Sequence, residues 1–454
     1  MLLPVAALLA LLSLVHAAGE PVVTLAEARE RAAARVAAVR AAGAAALAAD
    51  ARVDQARAAT LPVLTASAGL QVWDSAMAFQ FLPAGSTDCS QWQPPTAMLC
   101  EALSQPMTVR DQVTASATVR VAEPLTGLLS THAQVESLES QARAADAARA
   151  QAEWDARFGA SDAFFVALAA ERQHEIAQAQ VRSLEAREAA AQVSVQAGAA
   201  TRNDLLQVRL ALAQARQSEI QGGLMCDTAY GRLGLAAGTD GSPLKPAATE
   251  IAGVRQPPVG EDELVERALG ARSDLAVLRA QQDAARRAAD ALSWARLPQV
   301  SALGVYTHSE GQGFMTEPDT AWVGASLDWI AWGWGRQAAG LRAAREIAAQ
   351  IEAQVGGLEA AIRLDVRSRL QALAAARASL DVAEVSVGQA EENLRILDTR
   401  HKAGTVTTAD LLDGETALAR ARFSQAWALY EGQRAGLALE KAVGTRIWDG
   451  EETP

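Results

Sequence analysis

The chain has 454 residues, with 41 Lys and Arg against 53 Asp and Glu, a net charge of −12, and a composition that is 50% hydrophobic but only 4% aromatic. That acidic surplus argues against a nucleic-acid partner, because such binding rests on clustered basic charge. Alanine is the commonest residue and proline is absent from 125–242 and from 319–453, so the expected class is mainly helical, built of long, closely packed rods.

The first element is the apolar run Leu2–Val15. It is shorter than the ~18 residues of a spanning helix. Small residues around Val15-His16-Ala17 follow it, so 1–18 reads as a signal peptide. From Leu25 to about Ala58 the sequence favours helix, which stops at Leu61-Pro62 because proline disfavours helix in the residue before it. A strand over about 63–73 sets Leu64, Ala66, Ala68, Leu70 and Val72 against Thr65, Ser67 and Gln71. After a loop over 74–109, a second strand over about 111–122 sets Val113, Ala115, Ala117, Val119 and Val121 against Thr114, Ser116, Thr118 and Arg120. A long helix from about Leu129 to Gln196, a turn near 197–203 and a returning helix to about Leu233 complete a first repeat, 19–237.

A Gly/Pro-rich linker, 238–260, leads to a second repeat over 261–446. Its strands lie near 299–308 and 320–330, separated by a loop over 309–319, and Ala321, Val323, Ala325, Leu327 and Trp329 share one face. A helix from about Gln337 to Arg400, a turn near 403–409 and a helix to about Ala442 follow, then a tail, 447–454. The duplication is direct. Gln196–Arg216 laid over Lys402–Arg422, at an offset of 206, keeps eleven identities in 21 positions.

These parts constrain one another. A helix of roughly 65 residues is about 100 Å long and must pack laterally along its length. Strands of ~9–11 residues with one oily and one wet face suit a tilted membrane barrel. A single such hairpin equally suits a small soluble sheet with one buried face. Four strands cannot close a membrane barrel, which begins at about eight, so the barrel reading requires oligomerisation.

Residues with chemistry are few. Cys89 and Cys100 share a Pro/Gly/Ser-rich loop in an exported chain and are expected to form a disulfide. Cys226 is left over as a packing residue. There is no Cys-x-x-Cys, no His-x-x-x-His, no phosphate-cradling glycine loop and no Gly-x-Ser-x-Gly elbow, so neither catalysis nor a cofactor or metal is expected. Gly198 and Gly404 suit the left-handed residue that ends a helix. Thr201 and Thr407 suit helix N-caps, and Asp204 and Asp410 the first turns they begin.

Leu25-Ala26-Glu27-Ala28, the Leu-Pro before each first strand, the Ala-Gly-x-x-Thr-x-x-Asp-Leu-Leu turns and the segment Trp329-Ile330-Ala331-Trp332-Gly333-Trp334-Gly335-Arg336 resemble the TolC-like outer-membrane efflux proteins. Pro124-Leu125-Thr126-Gly127 is a looser match. The resemblance implies a homotrimer in the outer membrane of a Gram-negative bacterium, its twelve-stranded β-barrel set in lipid and continued by a long periplasmic α-helical barrel. It implies an exit duct for small molecules or proteins that works with a periplasmic adaptor and an inner-membrane pump.

By resemblance, Gly198, Ala199, Gly404 and Thr405 would be adaptor-contacting tips. Asp410 and Asp413 would form the periplasmic constriction, Gln207 standing at the matching place in the first repeat. Asp204 and His401 would form an entrance link, while Val406 replaces the basic residue that makes a second link in some members. Tryptophans 73, 322, 329, 332 and 334 would supply an interfacial girdle. The rival reading is a soluble periplasmic coiled-coil scaffold or adaptor with no membrane barrel.

Overall fold

A computed structural model describes residues 21–82, 88–248, 253–313 and 317–448. The signal peptide expected over 1–18 lies outside the described residues, as does the tail from 449 onward. The chain divides into two compact units, each drawing on both sequence halves: one comprises 1–48, 143–280 and 352–454, the other 49–142 and 281–351.

The helices are α1 (Leu25–Arg35), α2 (Ala37–Ala58), α3 (Thr96–Ser104), α4 (Gly127–Gln196), α5 (Arg202–Ala236), α6 (Glu261–Ala271), α7 (Ser273–Trp294), α8 (Arg336–Lys402) and α9 (Thr408–Val443). The strands are β1 (Val22–Val23), β2 (Val63–Val72), β3 (Met77–Phe79), β4 (Met107–Arg110), β5 (Val113–Pro124), β6 (Lys245–Pro246), β7 (Gln299–Glu310) and β8 (Asp319–Asp328). The duplication is visible in these bounds. α1, α2 and β2 recur as α6, α7 and β7 at an offset of 236, whereas β5 and α5 begin 206 residues before β8 and α9. The 30 residues lost between the two offsets are the excess length of the first hairpin's loop.

The helix expected over 25–58 is broken at Val36, which is extended and whose N–H closes α1 on Ala32. Arg272 breaks α6 from α7 in the same way. Each break lies under the turn that ends a returning helix. A Cβ at Gly238 (φ +80) would stand 2.6 Å from Arg35 Cβ, and one at Gly444 (φ +79) 3.2 Å from Arg272 Cα. Both positions require glycine for the backbone angle and for the close approach.

In the helical unit, Val23, Leu25, Phe164 and Leu233 are buried in one core, and Leu264, Leu275, Ile362, Val366 and Leu439 in another. Cys226 packs into the first of these. A two-residue parallel ladder of β1 with β6 ties the start of the chain to the segment after α5.

The other unit carries an antiparallel sheet in the order β2-β5-β7-β8. Leu64 pairs with Val121 and Leu70 with Ala115, while Gly304 pairs with Val323 and Val300 with Leu327. Period-two alternation therefore gathers the apolar residues of β2, β5 and most of those of β8 on one face, where β7 adds Val300, Ala302 and Tyr306. Thr65, Ser67, Thr118, Arg120, Thr307 and Ser326 lie on the other, where Thr118 and Thr307 hydroxyls meet at 3.2 Å. Leu64, Leu70, Val323 and Leu327 are exposed. The sheet is open: β2 and β8 each have a single neighbour in the chain. The twelve-stranded closed barrel is thus not present in one chain, whose four strands leave two edges unpaired.

Trp322 falls on the face with Thr320 and Ser326, paired with Val305, so it does not share the apolar face expected of a girdle residue. Trp329, Trp332 and Trp334 lie beyond β8 and are exposed.

Cys89 and Cys100 are disulfide-bonded in the long loop of the first hairpin. Closing a short loop of this size restricts the unfolded segment by about 3 kcal/mol in the chain-entropy description. Reduction is therefore expected to expose this loop to limited thermolysin cleavage while the cleavage of β2 and β5 stays unchanged. Equal loop cleavage with and without reductant would count against the bracing role.

Candidate functional site

Both helix pairs of the helical unit end in the same structure. After α4 the chain turns through Gly198 (φ +72), with the Ala199 N–H donating to Ser194 O at 2.8 Å. After α8 it turns through Gly404 (φ +72), with the Thr405 N–H donating to Arg400 O at 3.0 Å. Neither glycine has an atom within 4 Å of an added Cβ, so the backbone angle, not crowding, selects glycine there. Gly198, Ala199, Gly404 and Thr405 are all exposed.

Each returning helix opens with a capping box. The Asp204 N–H donates to Thr201 Oγ1 at 3.2 Å, while the Thr201 N–H and hydroxyl donate to Asp204 Oδ2 at 2.9 and 2.7 Å. Thr407 and Asp410 repeat this with the same distances. The bonds from Thr201 and Thr407 hold the Asp204 and Asp410 carboxyls below the usual carboxylate range. A carboxyl depressed in the folded state stabilises it fully above the unfolded value, and that contribution disappears as pH falls through the folded value. Hydrogen exchange, corrected for its intrinsic pH dependence, should show both first turns protected through the ordinary carboxylate range near ~4 and opening below it. Thr407→Ala should open the second turn at all pH values, at a cost of about 1 kcal/mol. Protection that ignores both pH and Thr407→Ala would remove the caps from the account.

Asp410 and Asp413 are both exposed and lie i, i+3 on one side of α9. Only Asp410 is tied into the cap. His401 Nε2 is 3.3 Å from Thr408 Oγ1, and the Thr408 hydroxyl and the His401 charge also lower the Asp204 pKa, after the larger contribution of Thr201. Thr408, the first residue of α9, was not expected from the sequence.

Nor was the polar cluster one turn deeper. Glu415 is buried at 6% exposure. Its Oε1 accepts from Ser183 Oγ at 2.9 Å and from Arg187 Nε, whose NH1 reaches Asp398 at 3.3 Å; Lys402 pairs with the same Asp398 at 2.7 Å. The hydrogen bond from Lys402, followed by that from Arg187, holds the Asp398 carboxyl low. Glu415 Oε2 is buried without a partner among the described residues. The cluster joins α4 of the first half to α8 and α9 of the second. Beside it, a Cβ on Gly414 would lie 2.6 Å from Leu397 Cδ1, so α8 and α9 are in close contact there. A signal was available, since Glu415 interrupts the apolar stripe Leu411, Leu412, Leu418, and an acid on such a stripe needs a buried cation.

Further along, the duplication extends to an ion pair. Arg216 meets Glu185 at 2.8 Å, and Arg422 meets Glu391 at 2.8 Å, each partner displaced by 206 residues. Exposed on the helix surface, such pairs contribute little individually, but they show both helix pairs adopting one register.

Among the described residues, no single helix is long and apolar enough to cross a membrane.

Comparison with known proteins gives three findings. A family model described as outer membrane efflux protein matches residues 28–239 and 264–445. No curated protein matches the chain. Several solved structures do. A membrane protein from Pseudomonas aeruginosa is 18% identical, with a TM-score of 0.76 over 94% of this chain and 92% of that one. The outer membrane protein VceC of Vibrio cholerae is 17% identical, with a TM-score of 0.75 over 93% and 97%. The open state of the Neisseria gonorrhoeae MtrE outer membrane channel is 17% identical, with a TM-score of 0.72 over 93% and 89%. At these identities the likeness is one of fold.

Proposed function

The chain belongs to the outer membrane efflux protein family, and from that premise we propose that three copies assemble into one exit duct, fed by an inner-membrane pump through a periplasmic adaptor. As a member of that family it is an outer-membrane efflux channel. The observation that carries the assembly is the open sheet. Its exposed apolar face needs lipid, and the unpaired edges of β2 and β8 need strands. An unsatisfied backbone edge costs several kcal/mol per group in lipid, so a sheet can span only when closed. Pairing β8 of one copy with β2 of the next satisfies both requirements, and three copies of four strands reach twelve.

Within this duct the helical unit lies in the periplasm. The exposed turns at Gly198-Ala199 and Gly404-Thr405 are the surfaces offered to the adaptor. Asp410 and Asp413 form the constriction, six carboxylates in the trimer, and the His401-Thr408-Asp204 chain ties the two tips of each copy together. The duct is passive, so the pump supplies the energy, and small molecules or proteins are the cargo class.

Native mass spectrometry of the detergent-purified protein should give the mass of three chains, and planar bilayers should record small cation-selective currents. A protein that stays monomeric and soluble without detergent would refute the duct and favour the coiled-coil scaffold.

A further inference from the structure

A cavity of about 450 Å³ in the helical unit is lined by four arginines, Arg29, Arg157, Arg255 and Arg446. In a chain of net charge −12 this is a local reversal of sign. Only two carboxyls, those of Glu30 and Glu440, line the same space, and among the described residues none of the four arginines makes a salt bridge with an acid. Arg29 is anchored by its Nε, which donates to Ser161 Oγ at 2.7 Å. Glu440 is already engaged, accepting the Ile447 N–H at 3.3 Å. Burial pushes its pKa up, which weakens it as a competitor for the arginines.

Apart from Gln433 the remaining wall is apolar, with Phe165 only 4% exposed, and Leu25, Leu373 and Leu437 beside it. Two glycines on α9, one turn apart, let the roof come down. A Cβ on Gly432 would lie 2.1 Å from Val254 Cγ2, and one on Gly436 3.4 Å from the Trp448 ring. Trp448 is fixed in place by its indole N–H, which donates to Gln256 O at 2.9 Å.

We propose that this cavity binds a small organic anion, a carboxylate on an apolar body, with its charge among the four guanidinium groups and its body against Phe165 and Leu437. Guanidinium forks match a carboxylate in geometry and charge. The volume is that of a small-molecule site, and such sites combine apolar walls with a few convergent polar groups. The cavity is formed by the first turns of α1, the middle of α4, Leu373 of α8 and the last turns of α9 and is separate from the helix tips.

The test is calorimetric titration of the full-length protein in non-ionic detergent with 1-naphthoate, and with 1-naphthylmethanol as the neutral control. Saturable binding of naphthoate is expected, with the alcohol at least about tenfold weaker. Arg255→Gln and Arg446→Gln, both at exposed positions, should each weaken naphthoate about tenfold, the range of one lost charge-assisted contact. Equal binding of acid and alcohol, or unchanged binding in both variants, would overturn the proposal. So would a tenfold gain in naphthoate affinity when Asp449→Asn, Glu451→Gln and Glu452→Gln are combined, because the chain's own carboxylates would then be the occupants. The heat of binding does not depend on conduction, so this result stands apart from the channel reading.

Discussion

Arg187→Ala is expected to lower the stability of the helical unit by about 3 kcal/mol, the low end of what an unpaired buried charge costs, and to enlarge the single-channel conductance. The carboxylate left behind is the reason. Glu415 is almost fully buried, and among the described residues one of its oxygens already lacks a partner and the other, without Arg187, keeps only Ser183. The low end applies because the Arg187 side chain is itself 24% exposed, so water reaches part of the vacated space. Because this cluster holds α4 to the α8–α9 pair near the tips, loosening it should let the entrance relax outward. Arg187→Leu combined with Glu415→Leu separates charge from packing. Replacing a buried pair with apolar groups is commonly neutral or stabilising, so the double variant should regain thermal stability. Thermal denaturation and bilayer recordings on the three proteins decide the matter. An unaltered melting temperature in Arg187→Ala would deny the cluster any structural role.

Asp413→Asn should lower cation selectivity at low salt by about tenfold, the lower range of what a focused field in a narrow cleft supplies. The loss should fade as ionic strength rises, since the screening length shrinks from ~30 Å at 0.01 M to ~3 Å at 1 M. Asp413 is the more informative of the two residues proposed for the constriction. Asp410 accepts from the Thr407 N–H and hydroxyl, so Asp410→Ala removes a charge and half of the capping box together. Among the described residues Asp413 makes no such bond, and its amide variant changes charge alone. Reversal potentials identical to those of the native protein at every salt concentration would place the constriction elsewhere.

Features governed by short-range periodicity were the legible ones. Alternation located three of the strands and the duplication the strand near 299–308, Leu-Pro marked where two of them begin, and Gly198 and Gly404 marked the turns, because most of these depend on a local backbone rule. What escaped depends on partners distant in sequence. Val36 has nothing in its own neighbourhood to stop a helix, since its break lies under Gly238, some two hundred residues away. Trp322 reads as a girdle residue from its place near a strand end, but strand register puts it beside Val305. Of the expected link between Asp204 and His401, the structure gives a contact of His401 with Thr408, whose hydroxyl reads as an ordinary first-turn residue. Arg187, Asp398 and Glu415 come from three helices and could be united only by the fold, although Glu415 alone was conspicuous on its apolar stripe.

The unpaired edges of β2 and β8 also bear on inheritance. Under the trimeric reading every copy donates one edge to each neighbour, and a ring is complete only if all its seams form. A chain whose β8 edge is spoiled, for example by proline at Val323, still offers a sound β2 edge and can therefore enter a ring that it cannot close. In a cell expressing native and altered chains equally, random mixing leaves only one ring in eight free of the altered copy. Such an allele would act dominantly, whereas deletion of one of two gene copies would merely halve the number of ducts.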